Sequence, residues 1–112
     1  MKIYHNPRCR KSRETLAMIE ASGIRPEVVE YLKDVPSAEE LKGIILKLGI
    51  SAEALIRKGE SEYKELYKGK SLSEEQWVQA MINHPKLIER PIVIKGDRAV
   101  LGRPPENVER LL

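Results

Sequence analysis

At 112 residues the chain is long enough for one domain with one modest core, and with no phenylalanine and a single tryptophan that core must be built mostly from Leu, Ile and Val. Twenty basic residues against seventeen acidic ones leave a formal charge of only +3, which argues against generic nucleic-acid binding, since that needs a denser basic stripe. No apolar run is long enough to span a membrane, and the opening MKIYHNP turns polar too soon for a signal peptide, so neither is expected.

In chain order, Lys2–Tyr4 reads as a short strand ended by Asn6-Pro7. A helix is predicted from about Arg10 to Ser22, with Gly23 as its stop. After the turn Gly23-Ile24-Arg25-Pro26, the β-branched stretch Val28–Tyr31 reads as a second strand. Ser37-Ala38-Glu39-Glu40 has the form of a capping box. The helix it opens carries Leu41, Ile44, Ile45 and Leu48 on one face, and Gly49 closes it. Short helical turns are expected at Ser51–Ile56 and Ser61–Leu66. A second capping box, Ser73-Glu74-Glu75-Gln76, opens a helix with Trp77, Ala80 and Met81 on one face, ending near His84-Pro85. Pro91–Ile94 and Ala99–Leu101 read as strands joined by so short a link that they must form an antiparallel hairpin. Pro104-Pro105-Glu106 can start a last helix.

The order is β-α-β, a helical block, then β-β-α. The first two strands, split by a helix, should be parallel, and the hairpin adds antiparallel pairs. The expected fold class is therefore α/β: a thioredoxin-like, mixed four-stranded sheet. A helical insertion over about residues 35–85 separates its two halves, all within one domain spanning 1–112.

Cys9 is the only cysteine. It cannot form an internal disulfide, so a reducing cytoplasm is the expected compartment. It stands where a strand gives way to a helix, facing the free N–H groups of the first helical turn, with Arg8, Arg10, Lys11 and Arg13 around it. In such a setting a thiol pKa can fall from about 8.5 to roughly 3.5–7.5, making a nucleophile; the alternative is a small buried apolar residue, which these polar flanks disfavour.

Arg57, Arg90 and Arg103 each lie at an element boundary, from which guanidinium forks could reach a shared cleft and bind a tetrahedral anion. For any one of them alone, a solvated surface role is the simpler reading. Pro91 opens a strand after Arg90 and can be either cis or trans. His5 could hydrogen-bond the thiolate, tune its loop, or be satisfied by backbone. Ser12 could cap the helix or help hold the thiolate. The spacing Cys9-x-x-Ser12 lacks the second cysteine that would let the chain resolve its own disulfide. Two distant histidines and one cysteine make no zinc spacing, and there is no glycine-rich phosphate loop, so no metal and no bound cofactor are expected.

His-Asn-Pro-x-Cys-x-x-Ser-Arg-x-Thr-Leu at positions 5–16 resembles the active-site signature of the ArsC family, the glutaredoxin-dependent arsenate reductases. The likeness continues through Glu30-Tyr31-Leu32, Leu48-Gly49-Ile50-Ser51, Leu55-Ile56-Arg57, His84-Pro85-x-Leu87-Ile88-x-Arg90-Pro91-Ile92-Val93 and Gly102-Arg103-Pro104. The resemblance implies a thioredoxin-like fold with a helical insert and Cys9 as nucleophile. It implies anion binding by Arg57, Arg90 and Arg103, an influence of His5 on the thiol, and a cis Pro91. It also implies arsenate or a similar oxyanion as substrate, glutathione as co-substrate and glutaredoxin as partner; a monomer is expected.

One departure from the family pattern is Arg10-Lys11, where many members carry small residues after the cysteine. Two other readings stay open. One is a thioredoxin-like redox-sensing regulator resembling the Spx type, although those typically carry Cys-x-x-Cys and lack the full arginine set. The other is a reductase of other oxyanions or of glutathione mixed disulfides.

Overall fold

The computed structural model describes residues 1–112. The strands are β1 (Lys2–His5), β2 (Glu27–Glu30), β3 (Ile92–Lys95) and β4 (Arg98–Leu101). The α-helices are α1 (Arg10–Ala21), α2 (Ala38–Leu48), α3 (Ser61–Leu66) and α4 (Glu74–Asn83). Three short 3₁₀ segments run over Glu53–Leu55, Pro85–Leu87 and Pro105–Leu111. The terminal segment is thus a tight 3₁₀ helix rather than the α-helix a proline start suggests, and the Pro85–Leu87 turn has no counterpart among the predicted elements.

The sheet order is β2-β1-β3-β4. β1 runs parallel to β2 and antiparallel to β3, and β3 runs antiparallel to β4. This is the mixed four-stranded sheet of a thioredoxin-like fold. Its register lines up Val28, Ile3, Val93 and Val100 as neighbours in one row, so they share a face. Ile19 of α1 and Val108 and Leu111 of the C-terminal segment pack onto Ile3 and Val93 there, forming one buried cluster. Tyr4 and Ile92, paired in the adjacent row, are also buried, so the two central strands are covered on both faces.

α1 stops where Gly23 takes φ +89°, a left-handed conformation that residues with a Cβ resist; its N–H closes on the Glu20 carbonyl at 3.0 Å.

The chain divides into two compact units: Met1–Asp34 with Arg90–Leu112, and Val35–Glu89. The first holds the sheet. The second is helical. Its core is formed by Leu41, Ile44 and Ile45 of α2, Trp77, Val78, Ala80 and Met81 of α4, and Leu55, Ile56, Leu87 and Ile88 between them. Tyr63 stacks on Trp77 with ring centroids 6.4 Å apart. Ser73 forms the full capping box with Gln76, and the Ser37 hydroxyl accepts from the Glu40 N–H at 3.1 Å.

Candidate active site

The end of β1 leads into a tight turn. The Asn6 side-chain oxygen accepts from the Arg8 N–H at 3.0 Å, and the Asn6 carbonyl accepts from the Cys9 N–H at 2.9 Å. Arg13 reaches back from α1 and donates to the Pro7 carbonyl at 2.9 Å. Cys9 occupies the N-cap position of α1 in extended backbone conformation. The nucleophile candidate is therefore set by a backbone turn, and Asn6 is the residue that makes it. In the sequence Asn6-Pro7 reads only as a strand end; an asparagine capable of an Asx turn is the signal that points further.

Cys9 is half-buried and unbonded to any other cysteine. Burial pushes its pKa up, but the Ser12 backbone N–H, the Arg90 guanidinium and the Lys11 backbone N–H together outweigh this, and the net shift is downward. The thiol makes no cap hydrogen bond of ordinary geometry.

Ser12 does not cap the helix. It lies inside α1, fully buried, and its hydroxyl oxygen accepts from the Asn6 N–H at 3.1 Å and lies 2.6 Å from His5 Nδ1. Burial pushes the His5 pKa down; Glu30 raises it, Arg13 lowers it and Glu20 raises it, with a net fall. A neutral imidazole can accept the Ser12 O–H, so one hydroxyl satisfies both a ring nitrogen and a backbone amide. His5 thus acts on the loop through Ser12.

Arg90 and Pro91 precede β3, and their peptide bond is cis, as is that between Arg103 and Pro104. Arg103 Nη1 donates to the Arg90 carbonyl at 3.4 Å, and the Gly102 N–H donates to the Pro91 carbonyl at 2.9 Å. The structure therefore gathers Cys9, Arg90 and Arg103 around one loop cluster. Asn107, which the sequence did not mark, holds the Arg103 turn by donating to the carbonyls of Leu101 and Arg103, both at 3.1 Å. No local pattern could have revealed it.

Arg57 belongs to the helical unit. Its N–H donates to the Leu87 carbonyl at 2.7 Å, beside an isolated bridge between Ile56 and Ile88. Its Nε is buried, makes no hydrogen bond, and lies 3.7 Å from a Glu60 carboxylate oxygen.

Of the basic residues flanking the thiol, Arg10 is engaged by Glu14 at 2.8 Å, while the Arg8 and Lys11 side chains are exposed. No cluster of three His, Cys, Asp or Glu side chains could hold a metal ion, and no helix is long and apolar enough to cross a membrane.

Fold and site together define a thioredoxin-like protein with one free cysteine of lowered pKa at the start of α1. Comparison with known proteins makes the assignment narrower. The chain matches the profile of the ArsC family over residues 4–111, and it belongs to that family. It is 52% identical over 110 residues to the Escherichia coli (strain K12) protein called uncharacterized protein YfgD, covering 96% of this chain and 92% of that one. It is 46% identical to an arsenate reductase of Neisseria meningitidis serogroup B over 100% of this chain and 97% of the relative. Among solved structures, an arsenate reductase from Vibrio cholerae superposes with a TM-score of 0.96 at 52% identity, covering 99% of this chain and 96% of that one.

Proposed function

We propose that this protein reduces arsenate to arsenite, with Cys9 as nucleophile and glutathione and glutaredoxin as external reductants. The observation that carries the reading is a lone thiol of lowered pKa beside Arg90, in a chain nearly half identical to proteins named arsenate reductases. One cysteine supplies one thiol, and a two-electron reduction needs two.

In this reading Arg90 and Arg103 hold the oxyanion, and Arg57 enters as a third anion-binding residue on the family resemblance. The Cys9 thiolate attacks arsenic; a sulfur–arsenic bond forms and one oxygen leaves as water after taking protons from solvent. A glutathione thiolate then attacks the Cys9 sulfur. The S–S bond forms, the S–As bond breaks, and its electron pair stays on arsenic, which falls from the +5 to the +3 state and leaves as arsenite. Glutaredoxin releases Cys9 from the mixed disulfide by thiol–disulfide exchange. This chemistry suits a monomer in a reducing cytoplasm.

The test is arsenate-dependent NADPH oxidation in a coupled system of glutathione, glutaredoxin and glutathione reductase. Turnover in the wild type is the expected result. Its absence with folded protein and a reactive Cys9 would overturn the reading in favour of a redox sensor switched by glutathionylation. Arg57→Ala, Arg90→Ala and Arg103→Ala should each lower kcat/KM by about ten- to a hundredfold, the worth of a charge-assisted hydrogen bond, with KM affected as well as kcat.

A further inference from the structure

A cleft of about 270 Å³ lies beside the turn that carries Cys9, and its lining includes none of Arg57, Arg90 and Arg103. One wall is the turn itself, through Asn6, Pro7 and Arg8; the other is the end of β2 and the turn beyond it, through Glu30, Leu32 and Lys33. The volume is near the lower end for small-molecule sites, with room for one end of a peptide-sized ligand.

The wall charges are specific. Glu30 and Lys33 stand side by side, 3.7 Å apart, presenting a carboxylate and an ammonium together. Such a pair is complementary to an α-amino acid end, which carries the opposite charges equally close together. Arg8 is exposed and directly precedes Cys9, and the Cys9 N–H is bonded to the Asn6 carbonyl of the same wall. Leu32 is 37% exposed and offers an apolar floor. An extended tripeptide spans roughly 10 Å, enough for a central thiol to approach the turn while one end rests in the cleft.

We infer that this cleft is the binding subsite for the donor thiol, a small peptide thiol with a free amino-acid end and a second carboxylate. The amino-acid end lies on Glu30 and Lys33, and the second carboxylate faces Arg8. The inference rests on the reading that an external thiol completes the reaction. It separates the donor's binding residues from those of the oxyanion.

The test compares how fast the reduced full-length protein reacts at Cys9 with two disulfides, glutathione disulfide and neutral hydroxyethyl disulfide, in the wild type and in an Arg8→Gln/Lys33→Gln variant. Either reaction breaks the disulfide's S–S bond, joins one half to Cys9 and expels the other half as a thiol, so no arsenic chemistry is involved. Neither Arg8 nor Lys33 is among the groups that lower the Cys9 pKa, and the ratio of the two rates cancels any change in the thiol.

The expected result is a fall in that ratio of about three- to tenfold, the worth of two exposed charge pairs, shrinking at high salt. A smaller fall, or an equal loss with both disulfides, would overturn the subsite. If the wild type shows no arsenate-dependent turnover while the ratio still falls, the arsenate reading fails and the subsite stands. If turnover is present and the ratio is unmoved, the subsite fails alone.

Discussion

The lowered pKa of Cys9 reflects a balance among its neighbours. Burial opposes the thiolate; the Ser12 and Lys11 amides and the Arg90 guanidinium favour it and win. Replacing Arg90 with Ala should therefore raise the thiol pKa, read from thiolate absorbance against pH, while the fold is retained. Cys9→Ser should remove all reductase turnover and leave the circular dichroism spectrum unchanged. The lowered pKa also sets a sign for stability. A thiol easier to ionise when folded stabilises the native state above its ordinary unfolded pKa of about 8.5, and that gain is lost as pH falls through the folded value. The stability of wild type relative to Cys9→Ser should thus increase with pH across that window in urea denaturation. Ser12 is a second key position at this scale. Ser12→Ala would leave the Asn6 N–H and His5 Nδ1 unpaired in a buried place, costing about 1–3 kcal/mol by the same denaturation measurement.

At the scale of elements, the site depends on how closely β4 leaves the sheet past α1. Gly102 sits where an added Cβ would lie 2.5 Å from Thr15 Oγ1 and 2.7 Å from Pro91 Cγ. Thr15 is fully buried and its hydroxyl donates to the Lys11 carbonyl at 2.8 Å, so it has little room to yield. The proline ring is rigid. Glycine is needed there for close approach, and Gly102→Ala should cost about 1–3 kcal/mol of stability. Because Arg103 follows directly, the same change should raise KM for arsenate, measured in the coupled assay. The capping residues, the helix faces and the hairpin were legible from sequence because each is a local pattern: a serine three residues from a glutamine, apolar residues at helical spacing, two strands too close to be anything but antiparallel. The final segment was harder. Two prolines permit any helical start, and whether it winds as α or 3₁₀ depends on packing Val108 and Leu111 against Ile3 and Val93.

For the whole molecule, the expectation of one domain with an inserted helical block leads to a measurement. The only tryptophan, Trp77, lies buried in the Val35–Glu89 unit, whereas far-ultraviolet circular dichroism reports both units. Coincident urea transitions by Trp fluorescence and by circular dichroism are the expected outcome for one cooperative domain; two separated midpoints would divide the chain into independently stable parts.

The sequence by itself determined the order of elements, the position of Cys9 at a strand–helix junction and the identity of the cations that could serve it, because these follow from local periodicity, turn chemistry and residue type. It could not determine which of those cations act. Arg10, adjacent to the thiol in sequence, is taken by Glu14, whereas Arg90, eighty-one positions along the chain, lowers its pKa. Nor could it reveal that His5 works through Ser12, or that Asn107 secures the turn of Arg103. Those are contacts between groups distant along the chain or turned toward one another only by the turn at Asn6. Tertiary structure decides them, because electrostatic and hydrogen-bond energies depend on separation in space, which sequence spacing does not measure.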